Sequence, residues 1–171
     1  MNTVIRKDEL EKQVLRGQRL YQPLFADGDY SNARLREARL LQPVFRGIRL
    51  DFADLTNGYL PKAVFEDCAI SDARLAGLYL RGAEFRKCRI KKCDFTGANL
   101  SEVQFVDCEI AMSDFTMAEF AEASFKNTRF KECKMFLADF SRVDPSELNS
   151  IKQEIRDAIL PKTQSSSAKP A

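Results

Sequence analysis

The sequence predicts an all-β solenoid, built from five-residue repeats that wind around one narrow core. Three observations lead to this prediction. An apolar residue recurs at every fifth position from Leu20 to Phe140, and the position two residues before it is usually small. Residue types recur again at a spacing of twenty. A chain of 171 residues has room for one such continuous core and not for two sizeable domains.

The five-residue period is the strongest of these signals. All twenty-five positions of the series are apolar, without an insertion. At the chain's overall apolar content of 44%, a random run of this length has a probability on the order of 10⁻⁹. Five residues rotate a helix position by a net angle of about 140°, and an odd step moves a strand residue to the other face. The period therefore fits neither a regular helix nor a long strand.

The small residues explain how the apolar column is buried. They are most often alanine, namely Ala33, Ala38, Ala53, Ala63, Ala73, Ala83, Ala98, Ala118, Ala123 and Ala138. A small residue, a polar residue and a large apolar residue in succession indicate a short strand with two side chains inward and one outward. The remaining two residues turn a corner, so each pentad forms one side of a square.

The repeats resemble those of the pentapeptide-repeat family, in which alanine, aspartate or asparagine, and leucine precede two variable residues. The best matches are Ala53-Asp54-Leu55, Ala98-Asn99-Leu100 and Ala138-Asp139-Phe140. The resemblance covers roughly residues 18–143. It implies a right-handed quadrilateral parallel β-helix, with four pentads in each coil.

The spacing of twenty supports coils of four pentads, because residues one coil apart would stack. One column would contain six phenylalanines, namely Phe25, Phe45, Phe65, Phe85, Phe105 and Phe125. A second would contain Leu20, Leu40, Leu60, Leu80 and Leu100, followed by Phe120 and Phe140. About six coils at ~4.8 Å each predict a rod roughly 30 Å long.

Shorter segments flank the predicted rod. Residues 1–17 are expected to form an N-terminal cap, helical or irregular over residues 8–16. At the other end, Asp144 and Pro145 resemble an N-cap and a first helical residue, and Glu147 follows the cap by three positions. We therefore expect an amphipathic α-helix within residues 144–161 and a disordered tail over residues 162–171.

The apolar stripe of the predicted helix must be buried against another surface. Its members are Leu148, Ile151, Ile155 and Ile159. They would cap the open last coil, which otherwise exposes unpaired backbone and core. Alternatively, they would form a homodimer interface, because family members dimerise through their C-terminal ends. The two roles are compatible.

Enzymatic chemistry is not expected. The chain contains no histidine and no phosphate-binding glycine loop, and so lacks histidine bases, ligands and nucleophile pairs. The cysteines all fall two residues before a member of the apolar series: Cys68, Cys88, Cys93, Cys108 and Cys133. There they would fill the core, with Cys68, Cys88 and Cys108 in one column. We therefore predict no catalytic residue, no metal site and no cofactor.

The basic run over residues 86–92 is the best candidate for a nucleic-acid contact. Stacking would place acidic residues one coil away, with Lys87 between Asp67 and Asp107, and Arg86 beside Glu66. Cross-coil pairs of this kind are typical of a solvated face. Because the net charge is only +2, direct nucleic-acid binding is not expected.

An acidic cluster, spread over two faces of the later coils, is the main candidate for a partner site. It comprises Asp94, Glu102, Asp114, Glu119, Glu122 and Asp139, with Lys134 and Arg142 as the offsetting cations. Family members that protect DNA gyrase or topoisomerase IV from quinolones resemble duplex DNA in shape and acidity. The resemblance therefore offers one hypothesis, a DNA-mimicking protein that binds a type II topoisomerase. An ordinary acidic surface is the alternative.

A non-catalytic scaffold that binds a protein partner is the favoured hypothesis. It is motivated by the regular rod and by outward apolar residues, which include Tyr59, Tyr79, Leu41, Val44 and Val64. No apolar run approaches the length of a membrane span, so no membrane association is expected. The odd number of cysteines fits a reducing compartment, and we expect a cytoplasmic protein.

Overall fold

The protein is a parallel β-solenoid of about six coils, described by a computed structural model over residues 4–151. Two short helices flank the coils, α1 (Lys7–Leu15) and the 3-10 turn η1 (Glu147–Ser150). Each strand has three residues. The strands are β1 (Arg19–Tyr21), β2 (Leu24–Ala26), β3 (Arg39–Leu41), β4 (Val44–Arg46), β5 (Val64–Glu66), β6 (Ala69–Ser71), β7 (Glu84–Arg86), β8 (Arg89–Lys91), β9 (Gln104–Val106), β10 (Glu109–Ala111), β11 (Ser124–Lys126) and β12 (Arg129–Lys131).

Neighbouring strands pair in parallel at a spacing of twenty residues, which confirms the predicted coil length. The largest sheet, which we call face 1, has the order β2-β4-β5-β7-β9-β11. Face 2 has the order β6-β8-β10-β12 and begins with single bridges from Asp29 to Arg49 and from Arg49 to Ala69. Along both faces, each residue pairs with the residue twenty positions away, as Phe65 does with Phe85.

The other two sides are held by isolated bridges at the same spacing. Face 3 runs from Arg34 to Lys134 through single bridges between successive coils. Face 4 begins with the paired strands β1 and β3 and continues as single bridges from Arg39 to Asp139. Together the four faces give the quadrilateral cross-section that the pentads predict.

The predicted columns form the core. The rings of Phe25, Phe45, Phe65, Phe85 and Phe105 stack with successive centroids 4.5–4.9 Å apart, and Phe125 follows at 6.1 Å. In the second column, Phe120 stacks on Phe140 at 4.5 Å. Leu20 is an exception, because it lies in the first coil and is only partly buried. The inward positions of the apolar series are otherwise confirmed.

The corners of the square require an unusual backbone. From Leu20 to Met135, the second residue after each member of the apolar series has a positive φ, between 48° and 69°. Twenty of these residues are not glycine, and they include Phe52 and Met117. Left-handed backbone is costly for a bulky side chain. Ladder hydrogen bonds hold it in place here, as where the Met117 amide donates to the Phe136 carbonyl at 2.9 Å.

Residues before β1 contact the first coil. The Ile5 amide donates to the Leu24 carbonyl at 3.0 Å, and Val4 bridges Leu24 in parallel. Leu10 on α1 is fully buried in the core. These contacts satisfy backbone hydrogen-bonding groups at the first edge of face 1. They also cover apolar surface that the first coil would otherwise expose to water.

The C-terminal end departs from the predicted capping box. The 3-10 turn η1 has Ser146 at its N-cap, not Asp144, and this N-cap makes no side-chain capping hydrogen bond. The Asp144 Oδ1 accepts a hydrogen bond from the Ser146 amide at 2.9 Å, just before the turn. The Glu147 Oε2 accepts from the Phe125 amide at 2.9 Å, on the last strand of face 1. The edge strand needs this acceptor, because its outer amides have no next coil within residues 4–151.

The predicted C-terminal helix can be compared with the structure over its first turn. There the chain forms the 3-10 turn η1, and Leu148 and Ile151 are buried against the core. Ile155 and Ile159 lie outside the described residues, as does most of the segment 144–161. The helix and the homodimer therefore stay predictions.

Over residues 4–151, no helix is both long enough and apolar enough to cross a membrane.

Candidate functional site

Face 4 carries an ordered outward ladder, formed by the residue just before each member of the apolar series. From the first coil to the last, it reads Arg19, Arg39, Tyr59, Tyr79, Asn99, Glu119 and Asp139. Two cations lie at one end, two aromatic residues in the middle and two acids at the other end. The ladder thus sorts residue types along the rod.

The two tyrosines of the ladder stack outside the core. Their ring centroids lie 4.9 Å apart, with an interplanar angle of 21°. Tyr59 is 44% exposed, and Tyr79 is half-buried. Both were predicted partner-binding residues, and the structure brings them together as one exposed aromatic surface.

Four predicted acidic residues lie on or beside face 4, but they do not form a bare acidic surface. Glu119 accepts a hydrogen bond from the Asn99 amide group at 2.8 Å. Arg81 lies 2.5 Å from a Glu102 carboxylate oxygen. The hydrogen bond and charge of Arg81 lower the pKa of Glu102, although burial opposes the shift. Sequence analysis missed Arg81 as a counter-ion because it is 21 residues away, one step out of register.

Glu122 and Asp139 complete this end of the surface. Arg142 donates to Glu122 at 2.8 Å, which agrees with the predicted offsetting role of Arg142. Asp139 accepts a hydrogen bond from the Ser141 amide at 2.8 Å, so its carboxylate also orders the corner. Arg81 and Arg142 therefore offset two of these four carboxylates, whereas the hydrogen bonds to Glu119 and Asp139 come from neutral donors.

Asp94 and Asp114 lie on face 3, away from the other predicted acids. Each accepts a hydrogen bond at 2.9 Å from the amide two residues later, at Thr96 and Thr116. Burial acts to raise the pKa of Asp114, but the Thr116 hydrogen bond and the Lys134 charge outweigh it and lower the pKa. The predicted acidic cluster is therefore divided between two faces, and cations neutralise much of it.

On the outward ladder of face 3, cations and acids are mixed along the rod and are not sorted into separate ends. It reads Arg34, Asp54, Arg74, Asp94, Asp114 and Lys134, so each cation neighbours an acid, and the one pair of like charges is Asp94 and Asp114. Two of these neighbours form ion pairs, with the Arg74 Nη1 atom 3.9 Å from Asp54 and the Lys134 Nζ atom 3.3 Å from Asp114. Face 3 therefore fits an ordinary solvated surface. On face 4, by contrast, cations and acids lie at opposite ends of the ladder and are not neighbours.

The basic run also has acidic neighbours, with one correction to the expected pairs. Arg86 is the register neighbour of Glu66, as predicted, but its guanidinium pairs with Glu84 on its own strand. Glu66 pairs with Arg46 of the preceding coil at 2.8 Å. The choice between two acids at similar reach is made by side-chain conformation, which spacing does not determine.

The cysteines occupy inward positions and satisfy their thiols locally. Cys68, Cys88 and Cys108 are buried in one column, and each Sγ lies 3.3–3.4 Å from a backbone carbonyl of the preceding coil. The neighbouring thiols of Cys108 and Cys68, together with burial, raise the pKa of Cys88. Burial raises the pKa of Cys93 to about 11. Within residues 4–151, no three potential metal ligands of the His, Cys, Asp or Glu type form a cluster.

Cys133 differs from the other four. It lies in the last coil and is only partly buried, because no described coil stacks upon it. The prediction that all five cysteines are buried is therefore wrong at this position.

Two surface features were missed by sequence reasoning. Met117, Phe136 and Leu137 are 57%, 56% and 41% exposed at the corner between faces 3 and 4. Arg19 and Arg39 flank a groove at the first coils of face 4. The exposed apolar residues could have been found by examining the two corner positions of each pentad as well as its strand positions. The arginine pair could have been found by aligning residues that are twenty positions apart.

Comparison with known proteins agrees with the coil architecture. The family model described as pentapeptide repeats (8 copies) matches residues 48–86 and residues 63–102. No curated protein sequence matches the chain.

Several solved structures are similar to the chain. One is HetL of the cyanobacterium Nostoc sp. strain PCC 7120, a pentapeptide-repeat protein involved in heterocyst differentiation regulation. Its sequence is 16% identical, and the match covers 94% of this chain and 91% of HetL, with a TM-score of 0.39. Full-length QnrB1, a plasmid-mediated fluoroquinolone resistance protein, has 20% identity over 85% of this chain and 83% of QnrB1, with a TM-score of 0.38. A pentapeptide-repeat protein of the Arabidopsis thaliana thylakoid lumen has 21% identity over 84% and 75% of the two chains, with a TM-score of 0.27.

The family match falls on the central coils, where pentads, stacked columns and parallel ladders are all regular. The same five-residue register continues on both sides of the matched residues, from Leu20 to Phe140. Residues 48–102 therefore match the pentapeptide-repeat family model, and the coils on either side continue the same repeat.

Proposed function

We propose that this protein is a non-catalytic scaffold that binds a protein partner through face 4. Pentapeptide-repeat proteins are generally structural or interaction scaffolds. The observation that supports this face is the sorting of its outward ladder into arginines, tyrosines and acids.

The sorted ladder has an energetic cost that a partner would offset. Like charges directly opposite each other on neighbouring strands are destabilising, by up to about 1 kcal/mol per pair. Arg19 opposes Arg39, and Glu119 opposes Asp139, whereas face 3 mostly avoids such neighbours. A partner with the opposite order of charges would relieve both repulsions. This complementarity would also fix the direction in which the partner lies along the rod.

The tyrosines supply the contact area between the charged ends. Tyrosine and arginine are enriched among the residues that dominate binding energy at protein interfaces. The stacked pair is rigid, because each ring packs on the other at 4.9 Å. A preordered aromatic surface loses little conformational entropy on binding.

A test of face 4 uses affinity capture from the cells that make the protein. The double variant Tyr59→Ser, Tyr79→Ser removes both rings at outward positions. The control Phe52→Ser removes a ring that is more exposed than either tyrosine, at a corner away from face 4. We expect a defined partner to be recovered with wild type and the control and lost with the double variant. Equal recovery with all three proteins would show that face 4 is not the docking face.

DNA mimicry is the second candidate, and it keeps some support from Glu119 and Asp139 at the end of face 4. It would make a type II topoisomerase the partner. The ion pairs at Glu102, Asp114 and Glu122 reduce the field that such a mimic requires. We therefore place it behind the scaffold.

Two further proposals concern the state of the protein in the cell. The buried thiols of Cys68, Cys88 and Cys108 support a reducing compartment such as the cytoplasm. A homodimer through residues 144–161 is compatible with the scaffold.

A further inference from the structure

A groove of about 410 Å³ lies at the arginine end of face 4. It is lined by Arg19, Glu37, Arg39, Leu41, Asn57 and Tyr59. Strands β1 and β3 place the two arginines in direct register, with Leu41 on the same side of the rod. The groove thus combines two cations with an apolar and an aromatic side chain.

The two arginines repel each other, and no carboxylate among residues 4–151 pairs with either of them. They lie on adjacent parallel strands, which are about 4.8 Å apart. Both side chains are exposed, and within residues 4–151 neither forms an ion pair. Two guanidinium groups at this spacing can donate several hydrogen bonds to one carboxylate or to two successive ones.

The acidic groups around the groove are already engaged. Glu37, which lines it, lies 3.6 Å from the Arg36 guanidinium. Glu11 on α1 accepts a hydrogen bond from the Arg34 backbone amide at 2.8 Å. Arg34 and Arg36 add two further cations at the adjoining corner, so the surroundings of the groove are net positive.

We propose that this groove binds an acidic segment of a partner protein. Carboxylates of that segment would lie against Arg19 and Arg39, and an apolar side chain would pack on Leu41 and Tyr59. The apolar contacts favour a peptide over a nucleic-acid backbone, which would use the cations alone. This inference rests on the proposed scaffold function and assigns the chemistry of one part of its docking face.

The test measures binding of three short fluorescent probes to the full chain by anisotropy at low ionic strength. The first is a peptide of six glutamates around one leucine, the second has glutamine in place of each glutamate, and the third is an oligothymidylate of similar charge. We expect the glutamate peptide to bind at least tenfold more tightly than either other probe. Tighter binding of the oligothymidylate would indicate a phosphate site and overturn the proposal, as would equal binding of the two peptides.

Matched variants locate the interaction. Arg19→Gln with Arg39→Gln should weaken binding of the glutamate peptide at least tenfold. Arg89→Gln with Arg129→Gln removes the same charge from exposed positions on face 2, where Glu109 lies between the two arginines. This control should retain most of the affinity. An equal loss in both double variants would mean nonspecific attraction by net charge, and it would contradict a site at the groove.

A stability measurement excludes misfolding and separates this inference from the scaffold proposal. Removing two repelling charges should leave the Tm of the Arg19→Gln, Arg39→Gln variant unchanged or raised. A lowered Tm would show that the arginines stabilise the fold, contrary to the proposal. Failure of the peptide to bind wild type would overturn the groove assignment, whereas the tyrosine test of face 4 reports on the scaffold independently.

Discussion

The rings of Phe65 and Phe85 lie parallel, with centroids 4.5 Å apart and an interplanar angle of 1°. Each ring therefore packs directly against the ring of the next coil. A side chain removed from the middle of such a column leaves a cavity that the stiff ladders on either side cannot close.

The first prediction follows from this stacking. Phe85→Ala should reduce the free energy of unfolding by roughly 3–5 kcal/mol, because a fully buried ring is replaced by a cavity. Lys91→Ala, at an exposed outward position of the next pentad, should change it by less than about 0.5 kcal/mol. Denaturant unfolding of both variants checks the prediction. Equal stabilities would contradict the assignment of Phe85 to the core.

The second prediction concerns thiol reactivity. Cys68, Cys88, Cys93 and Cys108 should react slowly with a thiol reagent in the native protein, because they are buried. The raised pKa values of Cys88 and Cys93 further reduce the thiolate that reacts. Cys133 should react faster than the other four. Labelling followed by peptide mass spectrometry, with denatured protein as control, measures each rate, and fast native labelling of most cysteines would refute the buried positions.

The third prediction concerns acid stability. Burial acts to raise the pKa of Asp54 and of Asp114, but hydrogen bonds from Thr56 and Thr116 and the nearby cations lower it overall. A lowered folded pKa contributes stability that is present above the unfolded pKa of about 3.9 and is lost as pH falls through the folded value. The double variant Asp54→Asn, Asp114→Asn should therefore lose less stability between about pH 5 and pH 2 than wild type.

Asparagine is a suitable replacement because Asn99 makes the same turn in the native chain. Its Oδ1 accepts from the Ser101 amide at 3.1 Å. Unfolding midpoints measured across the pH range check the third prediction, with Asp67→Asn at an exposed corner as the control. If the double variant and wild type lose the same stability on acidification, the two carboxylates do not carry the effect.

The fourth prediction concerns the topoisomerase hypothesis. The purified protein should not inhibit supercoiling by DNA gyrase at low ionic strength, because cations offset much of the acidic surface on two separate faces. The comparison protein replaces Asp94, Asp114, Glu119 and Glu122 by asparagine or glutamine. Strong inhibition by wild type that is absent in this variant would make DNA mimicry the leading function.

The spacing of residues in the sequence was sufficient to predict the length of the coil, because each inward side chain must pack on the residue twenty positions away. Phe105 must stack on Phe85, and no other register buries both. Outward residues are not constrained in this way. Arg86 can reach Glu84 or Glu66, and its choice of Glu84 depends on side-chain conformation. The exposure of Phe136 was likewise missed, because the corner positions accept almost any residue.

The site was predictable only in part for the same reason. Tyr59 and Tyr79 follow from the twenty-residue spacing, and so does the register of Arg19 with Arg39. The division of Asp94 from Glu119 between faces 3 and 4 also follows from it, but the neutralising contact of Arg81 does not. That contact crosses a corner, where the direction of a side chain depends on the left-handed backbone.

The uninterrupted twenty-residue register also makes the rod a molecular ruler. Each coil contacts its neighbours alone, so the distance from the arginine end of face 4 to its acidic end is a whole number of steps of ~4.8 Å. Insertion or deletion of one coil would change that distance by a single step while every remaining strand keeps an equivalent neighbour. A partner that reads both ends of the ladder would thus measure the number of coils between them.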